Sequence, residues 1–163
     1  MSASPCAVAQ AASAEVADLL DAHRVLLEHS LRDRLLDGPV VASGAPLQRY
    51  LVATMGDSRT ERLRVLFLDG GNRLLADELV ARGSTGGVPA SVRMILNRAL
   101  ELHAAALIVV HNHPGGQADP SPVDIAFTRK LAEAGRYLAI VLHDHLIVAG
   151  DVCTSLRARG VLS

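Results

Sequence analysis

The chain has 163 residues, half of them hydrophobic, with 16 basic against 17 acidic side chains and a formal net charge of −1. That length closes a single core burying roughly two thirds of the unfolded surface, and the apolar content excludes a disordered class. Balanced charge supplies no global field towards nucleic acid or an anionic membrane, and four aromatic residues (Tyr50, Phe67, Phe127, Tyr137) leave little for stacking single-stranded bases.

Residues 1–14 are rich in Ala and Ser without a marked period, so a poorly ordered tail is expected there. From Glu15 the apolar residues Val16, Leu19, Leu20, Leu27, Leu31 and Leu35 recur at spacings of three and four, which predicts an amphipathic helix ending near Gly38-Pro39. Its stripe has to cover either the core or a partner, which leaves a homodimer open. His23 and His29 fall on this helix and are read as surface or interface residues. Ser43 and Pro46 open a shorter helix through Leu47, Tyr50, Leu51 and Met55, with Gly56 as its stop. Residues 15–60 thus form an N-terminal helical segment.

The period then changes. Residues 63–68 are a dense apolar run, 69–72 a turn and 73–80 a looser alternation, the pattern of a hairpin with Glu61 just before it. After a loop over 83–87, Ser91 caps a helix whose apolar face is Val92, Ile95, Leu96, Ala99 and Leu102. Residues 104–110 form a continuous apolar run, the mark of a strand covered on both faces. Ser121-Pro122 starts another helix, through Val123, Phe127 and Leu131 to Gly135. Residues 137–142 and 145–149 read as two strands, with His143-Asp144 between them. The order predicts a mixed sheet flanked by helices, with residues 61–163 as one domain.

Cys6 and Cys153 match no metal or disulfide spacing, which points to a reduced protein. No apolar stretch approaches the roughly 20 residues of a bilayer span, and no basic segment precedes the N-terminal small residues. A cytoplasmic protein without a membrane partner is the expectation.

Chemistry concentrates at the end of the buried strand. On a strand, residues i and i+2 share a side, so His111 and His113 can aim at one point, and Asp124 joins them if the loop folds back. Two imidazoles and a carboxylate are a ligand set that leaves a fourth zinc position for water. Each half alone has an ordinary structural use. His-x-His is common, and Ser121-Pro122-Val123-Asp124 fits a capping box. Together, at a buried strand end, they favour a metal centre.

His-x-His-Pro followed by Pro-Ser-x-x-Asp resembles the JAMM (MPN+) metal motif, and His111-Asn112-His113-Pro114-Gly115-Gly116 resembles its RadC branch. The similarity extends over about residues 61–162, through Val65-Leu66-Phe67-Leu68-Asp69, Ala99-Leu100-Glu101-Leu102 with Ala104-Ala105-Ala106, and Asp144-His145-Leu146-Ile147. It implies an α/β (mixed α+β) fold, JAB/MPN-like and cytidine-deaminase-like, with a mixed β-sheet flanked by helices. It also implies zinc held by His111, His113 and Asp124, and Ser121 supporting an oxyanion. The family's acid/base is a glutamate near the start of an early strand. Glu61 matches that place and Glu78 is its rival.

The activity so implied is that of a zinc metallopeptidase or isopeptidase, hydrolysing a peptide or protein amide through a zinc-bound water. An alternative is a non-enzymatic or DNA-processing accessory protein, although near-neutral charge predicts weak or no nucleic-acid binding. A third is a catalytically silent scaffold keeping zinc for stability. The sequence departs from the RadC pattern at Gly115, where Ser is common, and at Pro89-Ala90-Ser91, where Pro-Arg-Glu is common. It also shows no counterpart of the helix-hairpin-helix region often found N-terminal in the family. His145, beside Asp144, either orients a ligand or makes a structural bond. His103 and His143 lie near the site or at polar element ends.

Overall fold

Strand β3 (Ala106–Asn112) is buried along its whole length because both of its faces meet apolar layers. Ala106, Ile108 and Val110 enter one core cluster, while Leu107 and Val109 enter the other. The computed structural model, which describes residues 5–40, 44–83 and 91–162, builds the sheet outward from this strand. β1 (Glu61–Leu68) and β2 (Leu74–Gly83) lie on one side, β4 (Val141–Ala149) and β5 (Val152–Ser155) on the other, in the order β2-β1-β3-β4-β5. All pairs are antiparallel except β3 with β4. The mixed α+β architecture expected from the sequence is the one observed.

Helices α1 (Pro5–Leu36) and α2 (Ala45–Met55) cover the first face, where Leu35, Leu47, Leu51 and Met55 pack on Leu66, Ile108 and Leu146. Helices α3 (Val92–Glu101) and α4 (Pro122–Tyr137) cover the second, where Ile95, Leu96, Ala99 and Leu131 pack on Val65, Phe67 and Val109. Each fully buried Leu or Ile stabilises the fold by roughly 1.5–3 kcal/mol relative to exposure. A polar cluster adds to the first face. Tyr50 donates to Asp77 Oδ2 (2.6 Å), and Arg64 grips both Asp77 oxygens through Nε (2.9 Å) and Nη2 (2.7 Å), tying α2 to the β1–β2 hairpin.

Several boundaries differ from expectation. The first helix begins at Pro5, inside the stretch read as a tail, and its stripe covers the core only in its last two turns, where Leu35 is buried and Leu31 half-buried. Leu19 and Leu20 are 70% and 64% exposed. Ser43, read as a helix opener, lies outside the described residues, and Gly44 takes the N-cap position. Gly56 does end α2. A Cβ there would lie 2.3 Å from the Gly150 carbonyl oxygen, so close backbone approach, not a left-handed turn, demands the glycine.

Tyr137 belongs to α4, and the two short strands expected over 137–149 are one strand, β4. The misreading has a physical origin. Leu107 pairs with Leu142 but Ile108 with Asp144, so His143 is an extra residue bulged out of the ladder. The bulge interrupts the period of two on which the reading relied, while the strand continues through it.

Among the described residues no helix is long and apolar enough to cross a membrane.

Candidate metal centre

Alternation along β3 sends His111 to the α3/α4 side and Asn112 to the α2 side, continuing the two rows of apolar residues before them. The same parity operates on β1. Leu63, Val65 and Phe67 face α3 and α4, Leu63 pairs with His111, and Glu61 is the next residue in that row. A short loop then turns back from β3, and α4 starts beside the strand end. There Ser121 caps the helix, accepting from the Asp124 backbone N–H (3.2 Å), while Asp124 Oδ2 accepts from Ser121 N (2.7 Å) and Ser121 Oγ (2.6 Å). Asp124 therefore belongs both to the capping box and to the proposed ligand set. Two bonds hold Oδ2, and Oδ1 faces His111 Nε2 at 3.3 Å.

The side-chain atoms of His111, His113 and Asp124 converge within 4.8 Å of one another. His111 Nε2 and His113 Nε2 are 2.7 Å apart, and His113 Nε2 lies 3.5 Å from Asp124 Oδ2. Zinc bonds of about 2.05 Å place tetrahedral ligands about 3.3 Å apart. The separations of His111 Nε2 from Asp124 Oδ1 and of His113 Nε2 from Asp124 Oδ2 are close to that, each to a different carboxylate oxygen, and the histidine pair needs to open by about 0.6 Å.

Hydrogen bonding gives the protonation. His113 Nδ1 lies 2.7 Å from the Gln117 carbonyl oxygen, which can only accept, so Nδ1 carries the proton and Nε2 a lone pair. Burial lowers the His111 pKa to about 4, and Asp124 opposes this only in part. Two imidazole nitrogens and a carboxylate oxygen thus meet at one point, a nitrogen and oxygen donor set that suits zinc. Burial also pushes the Asp124 pKa up, but the Ser121 bonds and the neighbouring His111 outweigh it and hold the group below its ordinary value.

Glu61 lies on the wall of a cleft of about 470 Å3 that also includes Arg59, His113, Pro114 and Gln117. Its Oε2 is buried without a hydrogen-bond partner among the described residues, an arrangement that costs about 1–3 kcal/mol unless something else engages it. Glu78 is placed differently. It pairs with Val65, roughly 13 Å along the sheet from Glu61, and both of its oxygens bind Arg98 at 2.7–3.0 Å. A larger cavity, about 690 Å3 between α4 and β4, contains none of the proposed site residues.

Gly115 has nothing within 4 Å of where a Cβ would stand, so the serine common in the RadC pattern would fit there. Pro89 and Ala90, the other departure, lie outside the described residues. His143 sits at the far end of the sheet, bonded through Nε2 to Asn72 Oδ1 at 2.6 Å. His145 is at the site, with Nε2 2.8 Å from His111 Nδ1 and Nδ1 2.6 Å from Thr128 Oγ1. Burial, with His111 second, lowers its pKa to about 3.

Sequence reasoning missed two residues. Thr128 stands four positions after Asp124, one helical turn along the same face, and that spacing was its signal. Asn112 hid between the two histidines. Its side chain accepts from Arg62 N (2.9 Å) and donates to the Ser58 and Thr60 carbonyls (3.1 Å each), pinning the backbone on both sides of Glu61.

The sequence profile of the RadC-like JAB domain matches residues 41–161. A UPF0758 protein of Rhodobacter capsulatus is 47% identical over 131 residues, covering 80% of this chain and 61% of the relative. Another, from Ruegeria pomeroyi, is 45% identical over 131 residues, covering 80% and 58%. The chain thus spans about three fifths of the length of these curated relatives. With its histidine pair at a strand end, Asp124 in the following helix cap and this match over most of its length, the chain belongs to the family of RadC-like JAB domains.

Proposed function

We propose that this protein is a zinc-dependent hydrolase of amide bonds, of metallopeptidase or isopeptidase type. The observation that carries the reading is the convergence of three ligand atoms beside a cleft lined by Glu61, whose buried Oε2 has no hydrogen-bond partner among the described residues. His111, His113 and Asp124 would hold the metal, and zinc there would supply a bound water of lowered pKa and polarise a carbonyl. Glu61 accepts the proton of the attacking water and returns it to the departing amine nitrogen, a general acid–base role suited to a carboxylate that lines the same cleft as His113. Ser121 offers its hydroxyl to the developing oxyanion, for which it turns away from Asp124 Oδ2. Asn112 keeps Glu61 in register, and the cleft takes an extended stretch of peptide or protein chain.

Metal content and hydrolysis separate these roles. Protein purified without chelator is expected to carry about one zinc per chain by plasma mass spectrometry. The double substitution His111→Ala and Asp124→Ala is expected to lose it. Glu61→Gln should keep the zinc while cleavage of a quenched-fluorescence peptide library falls by at least the roughly 100-fold typical of a lost acid–base group. Zinc undiminished in the double variant would refute the site, and full cleavage by Glu61→Gln would refute the assigned base.

A further inference from the structure

Every hydrogen bond around His145 can be given a direction. Thr128 Oγ1 lies 2.5 Å from the Asp124 backbone oxygen, which can only accept, so the hydroxyl proton points there. The hydroxyl is then left as an acceptor towards His145 Nδ1 at 2.6 Å, and that nitrogen must carry the proton. His145 Nε2 is in turn an acceptor, and the proton between it and His111, 2.8 Å apart, belongs to His111 Nδ1. All three side chains are buried, at 0% exposure for Thr128, 1% for His145 and 4% for His111, so water does not replace these bonds.

We propose that Thr128 and His145 are the positioning pair of the metal centre, fixing His111 as the Nδ1–H tautomer so that its Nε2 lone pair faces His113 and Asp124. This rests on the metal-centre reading above. The relay is directional because it starts at a backbone carbonyl, the one group in it that cannot change role. It also closes on itself, since that carbonyl is Asp124's own, and one hydroxyl therefore aligns the first and third ligands together. The β4 bulge belongs to the device. Were His143 paired in the ladder instead of bulged out of it, the register begun at Leu107 and Leu142 would pair His145 with Val110 and turn it to the α2 face.

The test uses histidine labelled with 15N. In metal-free protein, long-range proton–nitrogen spectra are expected to show His111 and His145 both as Nδ1–H tautomers. Thr128→Val removes the acceptor, so His145 should shift its proton to Nε2 and donate to His111 Nδ1, moving the His111 proton to Nε2. Zinc affinity, measured by competition with a chromophoric chelator, should then weaken roughly 10- to 100-fold. Thr128→Ser retains the hydroxyl and should restore both tautomer and affinity, which separates the relay from a packing defect.

A wild-type His111 protonated at Nε2, or a folded Thr128→Val with unchanged tautomers and zinc affinity, would overturn the proposal. Wild-type protein that binds no zinc would instead refute the metal-centre reading, and the proposal with it, even where the tautomers stand as described.

Discussion

Asn112 stands between two proposed ligands in sequence yet serves the opposite side of the sheet. Its amide satisfies one backbone N–H and two carbonyls that flank Glu61, and it is 1% exposed. Asn112→Asp would keep the acceptor for Arg62 N but aim a carboxylate oxygen at two carbonyls. Losing two bonds of about 1 kcal/mol each and burying a charge against two carbonyl oxygens should destabilise the fold by about 3 kcal/mol or more, read by urea unfolding. A change below about 1 kcal/mol would show that this contact is dispensable.

Tyr50 permits a second measurement at the same scale. Burial, then the Asp77 charge and hydrogen bond, raises its pKa to about 12 against the opposing effect of Arg64. A group raised in the folded state contributes stability that is whole below its unfolded pKa of about 10 and is lost as pH climbs through the folded value. With two tyrosines and no tryptophan, phenolate absorbance is readable. The part of the signal that Tyr50→Phe removes should emerge as pH approaches 12, and its appearance near pH 10 would contradict the cluster geometry.

The elements show why some of this was legible in the sequence and some was not. His111 and His113 could be paired from strand periodicity alone, because two rows of apolar residues run without interruption to Val110. Asp124 and Ser121 were legible because a capping box is local and depends on four adjacent positions. Glu61 came from the family resemblance, and its row on β1 followed only once β1 was paired with β3. The His143 bulge is invisible locally. It exists only in the register between β3 and β4, and that register decides which face receives His145.

Helix α1 shows the opposite failure, a strong local period without a tertiary counterpart. Val16, Leu19, Leu20 and Leu26 are all more than half exposed, so these four residues of the stripe add almost nothing to either core cluster. Replacing Leu19 and Leu20 by Ser should therefore change the melting temperature by no more than about 2 °C, since surface changes of this kind stay within about 0.5 kcal/mol. Calorimetry on dilute protein checks this, and a loss of about 10 °C would mean that the stripe is covered in solution.

At the scale of the whole molecule, the site joins elements that the sheet otherwise keeps apart. His111 lies near the end of β3, His113 follows the strand, Asp124 is in the first turn of α4, and His145 belongs to β4, whose parallel pairing with β3 is made by the α4 crossover. A cation gripped there ties the crossover helix to the strand it leaves, so binding should be read globally as stability. A ligand that binds only the folded chain stabilises it by about 2.7 kcal/mol at a hundredfold excess over its dissociation constant. For a domain of this size that corresponds to a rise in melting temperature of about 5–10 °C. Zinc added to chelator-stripped protein should produce this shift, and His111→Ala should remove most of it. Glu61→Gln should show the full shift, because Glu61 serves the cleft and not the proposed ligand set. An equal shift in wild type and His111→Ala would place the bound zinc elsewhere on the molecule, and the convergence of Nε2 atoms at the end of β3 would then need another cause.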